Sequence, residues 1–196
     1  MKQSLLIALT LGMASPSFSQ STSPSTEVQI ATAILAAPAD LRDGAKVYGI
    51  SSDGTYKVLR AGSNELVCIA DDASKDGISV ACYHKSLQPF MERGWKLKQE
   101  GKNAKEVFDI REKEVKEGKL KMPDQPTTLF ALSGKQDQYD SATGALKDGY
   151  LRYVVYIPYA TSETTGLPLK PDVPGMPWIM DPGTHRAHIM INPAKN

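Results

Sequence analysis

Two cysteines, Cys68 and Cys82, stand fourteen positions apart behind a leader of the kind that directs export, and together they constrain how this chain can fold. The opening MKQSLLIALTLGMASPSFSQ has Lys2 as a positive start and an apolar run from Leu5 to Met13. Small residues precede two candidate cleavage points, Gly12-Met13-Ala14 and Ser17-Phe18-Ser19. The run is too short to span a bilayer, and no later stretch is apolar and long enough to be a membrane helix. No cysteine follows the run within the leader, which argues against a lipid anchor. The expectation is an exported protein, periplasmic or secreted, with a signal peptide over 1–19, a flexible leader over 20–26 and a single globular domain over 27–196.

In an oxidising compartment the simplest state of Cys68 and Cys82 is a disulfide closing a short loop, worth roughly 3 kcal/mol in the chain-entropy picture. The alternative is a thiolate site built from Cys68, Cys82 and His84. Zinc would need a fourth ligand or a water there, and no Cys-x-x-Cys spacing supplies one.

Composition excludes some partners. Loss of Lys2 with the signal brings the 23 basic residues level with the 22 acidic ones, so neither nucleic acid nor an anionic membrane is implied. The apolar fraction of 41% is enough for a core.

The order of local signals predicts an α+β domain: an antiparallel sheet of about five or six strands, one short N-terminal helix and two amphipathic helices in mid-chain. Thr26 is the expected cap of the first helix, whose apolar positions are Val28, Ala31, Ile34 and Leu35. AKVYGI, TYKVLR and ELVCIA follow, separated by Ser52-Asp53-Gly54 and Gly62-Ser63-Asn64, and read as an antiparallel meander with Cys68 on its third strand. Leu87, Phe90, Met91 and Trp95 mark one helical stripe; Ala104, Val107, Phe108 and Val115 mark a second. Their charges are interspersed, as on a solvated face. Strand signals return at TTLFALSG, YLRYVVYIPY and AHIMI.

Seven of the thirteen prolines fall between Pro158 and Pro193, and Pro168, Pro171, Pro174 and Pro177 recur every third residue. Proline fixes φ and lacks an amide donor, so this connection should run as a stiff path bordering a surface.

Candidate chemistry gathers near the end of that path. His185 and His188 have a His-x-x-His spacing, but residues three apart on a strand point to opposite faces, so no shared metal is expected. Alternation places Ala187, Ile189 and Ile191 on an apolar, core-directed face and His188 with Arg186 and Met190 on the other. Pairing of the last two strands would then join Arg152, Tyr156 and His188 on one mixed face beneath the proline-rich loop and Trp178. Asp181, Thr184 and His185 are a sequence-local trio able to serve as a base. The ligand-binding candidates are therefore His188, Arg152, Tyr156, Trp178, His185 and Asp181. There is no Gly-x-Ser-x-Gly, Ser-x-x-Lys, His-Glu-x-x-His or phosphate-cradling glycine loop, and neither a cofactor nor a metal is implied.

The segments Pro177-Trp178-Ile179-Met180, Gly183-Thr184 and Ala187-His188-Ile189-Met190-Ile191, with the two cysteines upstream, resemble a group of small exported bacterial proteins of uncharacterised function. The resemblance brings no activity with it. The expected function is binding of a small molecule or a protein partner at the face of the last two strands. The alternatives are a periplasmic hydrolase with a histidine as general base, and a structural or interaction protein without a ligand.

Overall fold

The computed structural model describes residues 24–51 and 53–195, so the expected signal peptide over 1–19 and most of the expected leader over 20–26 lie outside the described residues. The first element among the described residues is α1, Thr26–Ala33, which passes into a 3₁₀ turn at Ile34–Ala36. Ser25 rather than Thr26 caps α1, its Oγ accepting from the Val28 amide at 3.3 Å. Next come β1 (Lys46–Ile50), β2 (Tyr56–Arg60), β3 (Leu66–Ile69) and β4 (Ile78–His84). The helices α2 (Gln88–Gln99) and α3 (Ala104–Lys116) follow, then β5 (Thr127–Gly134), β6 (Tyr150–Tyr156), the short α4 (Ser162–Thr165), β7 (Trp178–Met180) and β8 (His188–Ile191).

Among the described residues, eight strands form one sheet in the order β2-β1-β3-β4-β5-β6-β8-β7. This exceeds the expected five or six strands by two or three. The first of the two unexpected strands, β4, buries Ile78, Val80 and Cys82 on one face and sets Ser79 and Ala81 on the other, where they give a weak strand signal. β7 was missed because it is three residues long and embedded among prolines.

The expected meander is also corrected. β1 and β2 form a hairpin, but β3 lies parallel to β1 on its other side. The turn after β2 explains this, since the amides of Ser63 and Asn64 both bond to the Gly44 carbonyl, just before β1. Gly62 there lies so close to β1 that a Cβ would meet the Lys46 nitrogen at 2.8 Å. The chain therefore crosses the start of β1 instead of folding back along β2. From β3 to β6 all pairings are antiparallel, and α2 and α3 are an excursion between two directly paired strands, β4 and β5.

Both faces of the sheet are covered. On one, α1 and its 3₁₀ extension pack on Val47, Leu66, Val80, Cys82 and Leu132. On the other, α2 brings Phe90 and Trp95 down onto Tyr48, Tyr83, Leu129, Val154, Tyr156 and Met190. Asn103 and Glu106 form a capping box that starts α3, and Gly101, at φ 79°, ends the turn after α2. Cys68 and Cys82 sit directly opposite each other on β3 and β4, fully buried and joined by a disulfide with a Cα separation of 4.0 Å. The sulfurs are therefore committed, and the thiolate alternative with His84 falls.

Candidate functional site

The last two strands in the sheet core pair as expected, with Tyr156 directly opposite His188 and Val154 opposite Met190. The direction of that face differs from the expectation. His188 and Met190 are buried, at 6% and 8% exposure, while Ile189 and Ile191 are half-buried. α2 and α3 cover the His188 side, so a polar residue occupies a core position. It is accommodated because His188 Nδ1 bonds to the Arg186 carbonyl at 2.7 Å and its ring leans on Tyr156, centroids 5.3 Å apart. A carbonyl only accepts, so Nδ1 carries the proton and Nε2 presents a lone pair. Burial pulls the His188 pKa below its ordinary value.

His185 is fully buried and finds a partner that no local motif announced. Its ring Nδ1 and its backbone amide both bond to Glu112 Oε2 of α3, at 2.5 and 2.8 Å. A carboxylate also only accepts, so Nε2 is again a lone pair, and it is buried without a partner. Burial pulls the His185 pKa down, and the hydrogen bond and charge of Glu112 recover only part of that shift. Burial pushes the Glu112 carboxyl up, but hydrogen bonds from Lys116 and from the His185 amide and ring outweigh it and bring it down to about 2. Glu112 was invisible to sequence reasoning because 73 positions separate it from His185. The trio Asp181, Thr184 and His185 does not act as a unit: Asp181 accepts from Arg186 Nε at 2.7 Å, and Thr184 bonds to the Asp181 carbonyl.

Arg111, also unanticipated, lies within the same layer. Its guanidinium stacks on Phe90 at 3.9 Å, and Nη1 donates to the Phe90 carbonyl at 3.2 Å. Gly94 of α2 makes the room, since a Cβ there would meet Nη1 at 2.9 Å. Phe90 is thus the hub: Tyr156 stands edge-on to it at 5.8 Å and His185 at 5.6 Å. Among the described residues, no cluster of three or more His, Cys, Asp or Glu is suited to holding a metal ion.

Arg152 points the candidate face toward a different place. It lies four residues before Tyr156 on β6, and its guanidinium is 6.0 Å from the Tyr150 ring. Tyr150 borders two adjoining clefts. One, of about 340 Å³, lies between Pro171–Pro174 of the proline-rich loop and the tail Asn192–Lys195. The other, of about 730 Å³, opens over Leu151 and Tyr153 toward Lys135, Gln138 and Asp148. The Tyr150 hydroxyl donates to the Pro193 carbonyl at 3.1 Å and Lys195 Nζ lies 5.3 Å from its ring, so the tail forms the partition between the clefts. Trp178 is opposite Met190 on β7, half-buried, with Nε1 unpartnered.

The six candidates are thereby divided. His188, Tyr156, His185, Trp178 and Asp181 border a closed end under the helices, and Arg152 stands beside Tyr150 toward the other end of β6, its Nε buried, without lining either cleft. Comparison with family models, with curated proteins and with solved structures finds no match.

Proposed function

We propose that the chain is an exported binding protein, periplasmic or secreted, whose small-molecule ligand occupies the paired clefts at the open end of β6. The observation that carries this reading is the position of Tyr150 at the junction, with volumes of about 340 and 730 Å³ on its two sides. Small-ligand sites occupy roughly 300 to 1,000 Å³, with apolar walls and a few polar groups, and these clefts combine Tyr150, Tyr153, Leu151 and prolines with Lys135 and Lys195. Export is supported by the leader and by the disulfide, which persists in oxidising compartments. Among the described residues, no helix is long and apolar enough to cross a membrane.

The test is native mass spectrometry of protein isolated without denaturation from the exported fraction of its own host. A retained molecule that is lost in Tyr150→Ala, with the fold intact by circular dichroism, supports the reading. No retained mass, together with no thermal shift across a panel of amino acids, sugars and nucleosides, refutes it.

The second reading, a hydrolase with histidine as base, draws on the Glu112–His185 pair, in which a carboxylate orients an imidazole and leaves Nε2 free to take a proton. Full burial of that ring counts against it, because a substrate must reach Nε2. Turnover of ester or amide substrates that disappears in His185→Gln would favour it over binding.

A further inference from the structure

We propose that the layer between α3 and the end of β6 and β8 holds a small oxyanion of the phosphate kind on the Nε and Nη2 edge of Arg111. This site is separate from the paired clefts and does not depend on them. The first argument is charge. Arg111 is only 8% exposed, and among the described residues it makes no ion pair. The nearby carboxylates are committed: Glu112 to His185 and Lys116, Asp181 to Arg186. Arg111 is therefore a surplus buried cation, an arrangement that is strongly unfavourable unless a counter-charge arrives.

The second argument is geometry. Nη1 is used on the Phe90 carbonyl, but Nε is buried with no partner, and Nη2 makes no hydrogen bond among the described residues. Those two groups form the side-on fork that grips two oxygens of one oxyanion. Stacking on Phe90 and the gap left by Gly94 hold the guanidinium in place, so little order is lost on binding.

The third argument concerns what surrounds the fork. Around the Phe90 hub stand the Tyr156 hydroxyl, without a hydrogen bond among the described residues, and the Nε2 lone pair of His185. The His188 ring, whose Nε2 is likewise a lone pair, leans on Tyr156. Donors on Arg111 and Tyr156 and lone pairs on the histidines together suit an anion that has both bare and protonated oxygens, as hydrogen phosphate does. A metal cation is disfavoured by Arg111 and by Arg186, whose guanidinium lies 5.0 Å from the Phe108 ring beside His185.

The probe is inorganic phosphate, titrated into the intact mature protein near pH 7 with sodium chloride matched for ionic strength. The wild type should show a rise in Tm that grows with the logarithm of the phosphate concentration above the dissociation constant, on the order of 5 to 10 °C at a hundred times that constant. Arg111→Met should abolish that rise, and Tyr156→Phe should weaken it. The proposal is overturned if phosphate does no more than chloride, or if Arg111→Met responds as the wild type does. Should Arg111→Met not fold, the ¹⁵N-resolved Nε–H signal of Arg111 in the wild type decides: a saturable shift with phosphate supports the site, and an unmoved signal refutes it.

Discussion

At the level of single residues, the buried histidines explain themselves through partners rather than through sequence position. His185 and His188 are both held neutral by burial, with folded pKa values below the ordinary 6.5. The unfolded chain then binds more protons than the native one below that value, so stability falls as pH drops from about 6.5. Glu112 acts in the same direction at lower pH. Its folded pKa of about 2 lies below the ordinary 4.5, so its contribution is present above about 4.5 and is lost as pH falls toward 2. That contribution reaches up to about 3 kcal/mol. Denaturant titrations between pH 8 and 3 should show both losses, and Glu112→Gln should remove the lower one while destabilising the protein at pH 7. His188→Gln should lower stability by roughly 1 to 3 kcal/mol, because it disturbs a buried ring bonded to the Arg186 carbonyl. The identities and strand parity of His188 and Tyr156 were readable from alternation. Glu112 and Arg111 were not, because interspersed helical charges give no sign of which one turns inward.

Among the elements, local pattern located most segments and failed on adjacency. The periodicity of Phe90, Trp95 and Val107 marks two helices correctly, and alternation marks six of the strands. It cannot say that β3 enters the sheet beside β1, since that depends on the backbone contact between Gly62 and Lys46 and on the bonds to Gly44. The cysteine spacing was a better guide than the strand signals around it. It implied a bridge without requiring β4 to be seen, and the bridge proves to be a direct cross-strand link in the sheet centre. Reduction, or Cys68→Ala with Cys82→Ala, should therefore cost roughly 3 kcal/mol in urea denaturation. An unchanged midpoint on reduction would mean that the β3–β4 pairing does not depend on the link.

Across the whole molecule, the decisive fact is that helices cover both faces of the sheet. Strand alternation sorts residues into two sets, but it does not say which set a helix will bury, and here α2 and α3 cover the set that contains His188. The face expected to be one mixed pocket is thus closed by helices at the Tyr156 end, and the clefts gather around Tyr150, the larger of them over Leu151 and Tyr153 on the opposite face of β6. Among the described residues, the side-chain hydrogen bond between the open end and the tail runs from the Tyr150 hydroxyl to the Pro193 carbonyl, beside a backbone bond from the Gly175 amide to the Asn192 carbonyl. Tyr150→Phe keeps the ring and its contact with Lys195 but removes that bond, whose net worth is about 1 kcal/mol. The global unfolding midpoint should consequently change little, because the tail lies outside the two cores. Local opening of the partition should become more frequent, seen as faster amide exchange at Ala194 and Lys195 and faster trimming by carboxypeptidase. If the paired clefts hold the ligand, the same variant should release it faster while β4 and β5 keep their protection. Unaltered exchange at the tail would show that Pro193 is held by its backbone path alone, leaving Tyr150 as a wall of the clefts and not as their latch.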